Sequence, residues 1–228
     1  MSIKDRGKLI VVEGLDGSGK ETQTKRLYDR LKYEGINVKK IAFPRYNSES
    51  SALIKMYLNG EFGDKATDVN PYVASTFYAV DRYASFKQEW EQFYKEGGIV
   101  IADRYTTSNM IHQAGKIKDR EEKEKFLKWL WDFEFNIYGL PAPDLVFFLD
   151  VSVEFNKRLM EGRKNKFTGE AKKDIHERDL NHLLDAYNNA MIIAEKYQWQ
   201  KIECVKDNKL RSISDIHNEI YKEASKII

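Results

Sequence analysis

The chain has 228 residues, of which 42% are hydrophobic and 13% aromatic, enough for one large domain with its own core. Its 38 basic and 36 acidic side chains nearly cancel to a net charge of +2, which argues against nucleic acid as a partner. The single cysteine, Cys204, excludes a disulfide framework and a cysteine-based metal site, and its strand-like surroundings indicate a buried structural thiol. A polar start without a secretory-type apolar segment, and no apolar run of membrane-spanning length, predict a soluble cytoplasmic protein with no membrane partner.

Five short segments have the composition of β-strands. Three of them are continuously apolar, at residues 9–12, 99–102 and 145–149, which favours interior strands of a parallel sheet that is covered on both faces. The predicted strands span residues 8–14, 36–43, 98–103, 144–150 and 200–205.

Helical segments lie between these strands. Asn70 and Pro71 are typical of an N-cap and a first helical residue, and they open a long helix that ends at Gly97. A later helix places Phe126, Leu130, Phe133 and Ile137 on one apolar stripe. The predicted helices cover residues 20–34, 70–97, 121–138, 154–162, 174–198 and 213–228. The alternation predicts a single α/β domain over residues 1–228, with a five-stranded parallel sheet flanked by helices.

The stretch GLDGSGKET, residues 14–22, follows the first strand and opens the first helix. Its spacing is that of the G-x-x-x-x-G-K phosphate loop, whose backbone N–H groups converge on a β-phosphate while the lysine lies between the β- and γ-phosphates. The predicted nucleotide-binding residues are Gly14, Asp16, Gly17, Ser18, Gly19, Lys20, Glu21 and Thr22.

Glu21 stands where this motif calls for a Ser or Thr hydroxyl that ligates Mg²⁺. A carboxylate is also a hard oxygen ligand, so one interpretation is that Glu21 serves the metal or its water shell. The other is that Glu21 is a solvated acid favoured by the helix dipole. Thr22 keeps a hydroxyl one residue later, suited to an α-phosphate oxygen.

Further charged and aromatic segments follow the second and third strands, at the edge where parallel sheets bind ligands. FPRY (43–46) follows one strand and DRYTTSNMIHQ (103–113) the other, and in FYAVDRY (77–83) Tyr78 and Arg82 face the same way. With the phosphate loop and GLPAPDLVFFLDV (139–151), these segments resemble the thymidylate kinase family of P-loop nucleoside monophosphate kinases, which use ATP to convert dTMP to dTDP. The resemblance covers essentially the whole chain.

The resemblance implies roles at the acceptor phosphate and the base. Arg45 and Arg104 match arginines that bind the acceptor phosphate, and Arg82 matches one that contacts thymine O4. Tyr78 matches a ring stacked on thymine. Arg82 could instead pair with Glu89 or Asp81, and Tyr78 could belong to the core.

It also implies roles around the sugar and the metal. Asp16 matches an acid that contacts the 3′-hydroxyl, and Tyr105 matches a residue that crowds a ribose 2′-hydroxyl. Ser108 and Gln113 match positions that line the base pocket. Asp103 matches the acid near the metal and the phosphates, although it could instead cap the helix that starts near Thr107.

The segment at about 156–174 is rich in Lys and Arg, and its composition alone favours a solvated loop. The resemblance implies a mobile lid that closes over ATP. Family members carry a catalytic arginine either in the phosphate loop, directly after the position of Asp16, or in the lid. Because Gly17 and Ser18 occupy the loop positions here, the resemblance assigns that role to Arg163, with Arg158 as the second candidate.

The resemblance therefore implies ATP and Mg²⁺ as cofactors, dTMP as substrate and a homodimer. The implied catalytic residues are Lys20, Asp103, Arg104 and Arg163, and the implied metal ligands are Asp103 and Glu21. Two alternatives stay open: a kinase for another nucleoside monophosphate, and a nucleotide-binding module without catalytic activity, for which Glu21 is the main argument.

Overall fold

The computed structural model describes residues 6–160 and 180–228. Five parallel strands form its central sheet, in the order β2-β3-β1-β4-β5. Their bounds are β1 Lys8–Glu13, β2 Val38–Ala42, β3 Ile99–Asp103, β4 Leu145–Asp150 and β5 Gln200–Glu203. The predicted five-stranded parallel sheet is confirmed.

Helices flank the sheet and connect its strands. They are α1 Lys20–Tyr33, α2 Ala52–Asn59, α3 Pro71–Ser85, α4 Glu91–Lys95, α5 Thr106–Gly115, α6 Arg120–Trp131, α7 Val153–Met160, α8 Leu180–Lys196 and α9 Ile213–Ala224. The short helix α2 and a small antiparallel hairpin, β6 Val205–Lys206 with β7 Lys209–Leu210, were not predicted. No helix in the described ranges is both long and apolar enough to cross a membrane.

Two predicted helices contain π-helical segments. Phe86–Trp90 joins α3 to α4, so the helix predicted over residues 70–97 is two α-helices with a π-helical junction. Asp132–Ile137 continues α6 in the same way. Because i→i+5 bonding adds a residue to the turn, the following side chains rotate about the axis. Glu134 is consequently buried and Ile137 is 68% exposed, so the predicted apolar stripe is wrong at its end.

The strands are buried on both faces, as their continuous apolar runs indicate. On β1, Ile10 and Val12 pack with the core on the α1 and α9 side, whereas Leu9 and Val11 pack with Phe86 and Trp90 on the other side; all are buried. Cys204 lies in the first of these cores, and burial raises the pKa of its thiol to about 12, which confirms a structural thiol.

The register of the sheet places the ends of β1 and β3 side by side. Val12 lies opposite Asp103 in the parallel pairing of these strands. The residues that follow them, the phosphate loop after Glu13 and the turn at Arg104, therefore leave the sheet at the same edge. This edge holds the candidate site.

Candidate active site

The phosphate loop is a tight turn between β1 and α1. Its glycines 14, 17 and 19 have positive φ angles of 151°, 85° and 90°. At Gly14 a Cβ atom would lie 2.6 Å from Ser18 Oγ and 3.0 Å from Leu149 O, so a larger residue does not fit. Gly19 is the N-cap of α1 and supplies no side-chain hydrogen bond. The first N–H groups of α1 are thus suited to bind an anion.

Lys20 lies inside this turn. Its side chain is buried, with Nζ donating to Leu15 O at 2.7 Å and lying 3.9 Å from Asp16 Oδ1. Burial, with the charge of Arg104, lowers the pKa of Lys20 to about 8, although nearby carboxylates including Asp16 and Asp103 oppose the shift. The lysine is therefore charged at neutral pH, at the place where the motif needs a cation.

Arg104 connects the phosphate loop to the end of β3. Its guanidinium pairs with Asp16, and Nη1 lies 3.2 Å from Ser108 Oγ and 3.4 Å from His112 Nε2. Burial alone lowers the pKa of Arg104, but the charges of Asp16 and other carboxylates raise it above its ordinary value. Burial likewise raises the pKa of Asp16, but Arg104 and Lys20 outweigh it and hold that pKa far below its usual range. Asp16 is therefore ionised.

The residues predicted for a metal lie at the same edge. Asp103 ends β3 and is partly buried, and its charge acts on Lys20. Glu21 is exposed on the first turn of α1, a position compatible with both interpretations of it. Within the described residues, no three His, Cys, Asp or Glu side chains form a group that could hold a metal ion. Mg²⁺ commonly binds through one or two carboxylates together with substrate phosphates and waters, and Asp103 beside the phosphate loop fits that mode.

Arg45 is held by two carboxylates, Asp81 on α3 and Glu89 on the π-helical segment that follows α3. Its backbone N–H and Nε donate to Asp81 at 2.8 and 3.1 Å, Nη1 donates to Glu89 at 2.7 Å, and Nη2 donates to Ser50 Oγ at 2.9 Å. The Phe43–Pro44 peptide bond before it is cis. Two carboxylates and one hydroxyl thus engage the guanidinium group of Arg45.

Arg82 is buried and paired with Glu134. Its Nε and Nη2 each donate to a different oxygen of that carboxylate at 2.6 Å, and Nη1 lies 3.4 Å from Tyr105 O. The alternative partners Glu89 and Asp81 are wrong, since both bind Arg45. Arg82 is thus held rigidly, with Nη1 the least engaged of its nitrogens.

The remaining predicted residues lie in three different settings. Ser108 lies against Arg104, and Gln113 is buried with Oε1 lacking a hydrogen-bond partner among the described residues. Tyr78 is half-buried, edge-on to Tyr57 at a ring distance of 6.5 Å. Tyr105 is fully buried, and its hydroxyl donates to Pro141 O at 3.1 Å, so its side chain belongs to the core here.

Three carboxylates support these residues in ways that were not predicted from the sequence. Glu13 accepts hydrogen bonds from the turn around Arg104, Asp81 holds Arg45, and Glu134 holds Arg82. At the start of α5, the hydroxyls of Thr107 and Ser108 donate to Glu13, and no side chain caps the helix at Tyr105, so the alternative of an Asp103 cap is wrong. Only Glu13 carried a local signal, as an acid at the end of an apolar strand beside the phosphate loop.

Most of the predicted lid, including Arg163, lies outside the described residues. Its first part forms the end of α7, where exposed Arg158 donates to Glu154 at 2.7 Å.

Comparisons with known proteins agree with this geometry. The model of the thymidylate kinase family matches residues 12–208. A thymidylate kinase of Mycobacterium tuberculosis is 36% identical over 172 residues, covering 75% of this chain and 78% of that protein. One from Plasmodium falciparum is 29% identical over 225 residues, covering 98% and 92%.

Among solved structures, that of the thymidylate kinase from Candida albicans covers 97% of this chain and 92% of its own, with a TM-score of 0.70 and 23% identity, which supports the fold. The match with the family model includes the phosphate loop and the segments around Arg45, Arg82 and Arg104. The chain belongs to the thymidylate kinase family, whose members phosphorylate dTMP to dTDP using ATP.

Proposed function

We propose that this chain transfers the γ-phosphoryl group of MgATP in line to the phosphate of dTMP, through the residues described above. The observation that carries this assignment is the contact between Asp16 of the phosphate loop and Arg104 of the turn after β3. It joins a donor-phosphate loop to an acceptor-phosphate arginine at one edge of the sheet. Such an edge is where two phosphates can be brought end to end.

The reaction needs charge more than it needs a base. A monophosphate has a second pKa of about 6, so the acceptor is already an oxyanion at neutral pH. The obstacle is repulsion between this dianion and ATP. Lys20 and Arg104, with Arg45 at the acceptor side, offset that repulsion and hold the phosphates for a loose transition state. Planar guanidinium groups suit phosphate oxygens better than ammonium groups do.

Mg²⁺ bound to the nucleotide would neutralise developing charge on the phosphates. Asp103 is the proposed ligand in this chain, and Glu21 is the candidate for the metal or its water shell. Comparing the magnesium dependence of wild type and Glu21→Ser separates the two interpretations of Glu21. A shifted curve supports the metal role, and superimposable curves dismiss it.

The predicted base pocket is proposed to lie between α3 and α5. Arg82, with Nη1 least engaged, would donate to thymine O4, and Tyr78 would contact the ring. Ser108 and Gln113 complete the proposed set, and the buried Oε1 of Gln113 has no partner among the described residues. Tyr105, which the resemblance places at the ribose 2′-hydroxyl, is fully buried with its hydroxyl bonded to Pro141, so we propose no contact between it and the sugar.

For the lid, we keep the proposal that Arg163 is the catalytic arginine, since the loop positions Gly17 and Ser18 offer none. We expect Arg163→Ala to lower kcat on the order of a hundredfold while the dissociation constant of dTMP changes little, because the arginine would act on transition-state charge. Steady-state kinetics and calorimetric dTMP binding measure the two quantities. A loss confined to dTMP affinity would contradict the assignment.

We further propose that the chain is one cytoplasmic domain that forms a homodimer. Val73, Val80 and Tyr83 are exposed along one side of α3, an apolar face of the kind that a second copy covers. Sedimentation analysis would test this, with Val80→Asp expected to yield monomers and an unchanged sedimentation profile contradicting the α3 interface.

A coupled ADP-release assay with dTMP, dUMP, dGMP, UMP and CMP, with and without Mg²⁺, tests the function. We expect the highest kcat/KM with dTMP and no turnover without the metal. A higher kcat/KM with another acceptor would indicate a different nucleoside monophosphate kinase. ATP binding without ADP production in the presence of dTMP would indicate a module without catalytic activity.

A further inference from the structure

Arg104 has an unusual backbone conformation. Its φ angle is 68°, in the left-handed region that side chains other than those of glycine, asparagine and aspartate seldom adopt. Its N–H still donates to Val12 O of β1 at 3.2 Å, so the chain leaves the sheet at this residue. Such conformations persist at functional sites only where surrounding contacts hold them.

The contacts that hold this turn converge on Glu13, the last residue of β1. Its fully buried carboxylate accepts hydrogen bonds from Tyr105 N at 3.2 Å and Thr107 Oγ1 at 2.6 Å. Ser108 Oγ lies 2.9 and 3.0 Å from its two oxygens. The Tyr105 N–H belongs to the peptide unit that follows Arg104, so the backbone angles of Arg104 decide where it points. The bond to Glu13 is therefore made with Arg104 in its left-handed conformation.

Glu13 also reaches the Arg104 side chain. The Ser108 hydroxyl that donates to Glu13 accepts a hydrogen bond from Arg104 Nη1 at 3.2 Å. In addition, the side chain of Tyr105, the N-cap residue of α5, makes no capping hydrogen bond, and the Glu13 carboxylate lies at this end of the helix, where a negative charge is favourable. One carboxylate thus fixes the backbone of Arg104, a partner of its guanidinium and the start of the next helix.

We propose that Glu13 is a positioning residue for phosphoryl transfer. It holds Arg104 in the left-handed conformation that directs the guanidinium to Asp16, where the phosphate loop and the acceptor site meet. This inference rests on the proposed function, in which Arg104 binds the acceptor phosphate. Glu13 acts through Arg104 and Ser108, and a purely structural role would need no such link to the arginine.

The test is Glu13→Gln, which removes the charge and one acceptor oxygen while keeping the volume. We expect kcat/KM for dTMP to fall at least about tenfold, as is usual when a supporting hydrogen bond to an active residue is lost, while the dissociation constant of ATP alone changes less than about twofold. The matched control is Asp144→Asn. Asp144 also binds β1, accepting from Leu9 N at 2.9 Å, but at the opposite end of the strand, and its variant should keep wild-type kcat/KM.

A double-mutant cycle with Arg104→Ala tests whether the effect of Glu13 on kcat/KM depends on Arg104. If Glu13 works through Arg104, Glu13→Gln should lower kcat/KM less than about twofold further in the Arg104→Ala background. Independent, multiplying losses would overturn the proposal, as would a loss confined to ATP binding.

Thr107→Val covers the case in which Glu13→Gln does not fold. It removes only the 2.6 Å hydrogen bond to Glu13, and we expect a loss of about threefold in kcat/KM for dTMP. Wild-type kinetics in Thr107→Val would then overturn the proposal. Wild-type protein without dTMP kinase activity would instead refute the proposed function, and an active wild type with an unaffected Glu13→Gln would refute only the positioning role.

Discussion

Carboxylates hold all three arginines that the sequence predicts for the acceptor site, and they differ in how easily a phosphate can replace them. Asp81 and Glu134 are fully buried, whereas the side chain of Glu89 is 46% exposed. A phosphate dianion competes with each carboxylate for the same guanidinium donors. Of the two carboxylates on Arg45, Glu89 is therefore the one that we expect a phosphate at the proposed acceptor site to displace, while Asp81 would keep the arginine in place.

This difference predicts opposite effects at Arg45. Glu89→Gln should lower the KM for dTMP about twofold, because Nη1 no longer exchanges one anion for another. Asp81→Asn should raise that KM about tenfold, because Nε and the backbone N–H of Arg45 lose a charged acceptor. Initial-rate kinetics at saturating ATP measure both. Glu91→Gln, in an i,i+4 pair with Lys87, is the control without effect. Equal shifts in KM for the two test variants would contradict the division of roles.

Between elements, the Arg82–Glu134 pair joins α3 to the π-helical segment after α6, and Thr106 Oγ1 at the start of α5 donates to the same carboxylate at 2.6 Å. Removing one partner of a buried ion pair leaves an uncompensated charge. Glu134→Ala should therefore lower the free energy of unfolding by about 3 to 5 kcal/mol, and the double replacement of Arg82 and Glu134 by Met should cost less than Glu134→Ala alone.

Urea denaturation measures these differences. Glu122→Ala, in an exposed i,i+3 pair with Lys125, is the control and should change the unfolding free energy by less than about 0.5 kcal/mol. A Glu134→Ala variant as stable as this control would show that the ion pair does not stabilise the contact between these elements.

The Arg82–Glu134 pair was not predicted from the sequence, whereas the strands and the phosphate loop were. The strands and the phosphate loop have local causes, continuous apolar runs and glycines at fixed spacing, so both are predictable. The burial of Glu134 has no such local cause in the sequence. The π-helical turn rotates this residue inward, whereas the 3.6-residue pattern predicted that Ile137 would be buried. Asp81 is adjacent to Arg82 in sequence yet holds Arg45, since tertiary packing decides which guanidinium a carboxylate meets.

For the whole molecule, the site depends on the register of two parallel strands. Glu13 and Asp103 end β1 and β3, and the segments that follow them carry Lys20 and Arg104, the cations proposed for the donor and acceptor phosphates. Collecting Lys20, Arg104 and Arg45 near one edge destabilises the fold unless carboxylates offset the charge, and Asp16, Asp81 and Glu89 do so. The charge balance of the site is therefore part of the stability of the protein.

Lys116 is a partly buried lysine outside that balance, and it predicts how the free energy of unfolding depends on pH. Its Nζ donates to Tyr57 Oη at 2.7 Å, and burial lowers its pKa from 10.5 to about 7. Between these two values the unfolded chain binds a proton that the folded protein lacks, so the free energy of unfolding rises with pH across this window. Below the window, the full cost of burying the charge is present.

Lys116→Met should be more stable than wild type at pH 7. Between pH 8 and 10 its stability should rise less steeply, by up to about 1.4 kcal/mol per pH unit. Urea unfolding at pH 6 to 10 measures both slopes, with Lys25→Met on the surface of α1 as the control, and parallel curves for Lys116→Met and wild type would show that Lys116 keeps the pKa of an exposed lysine.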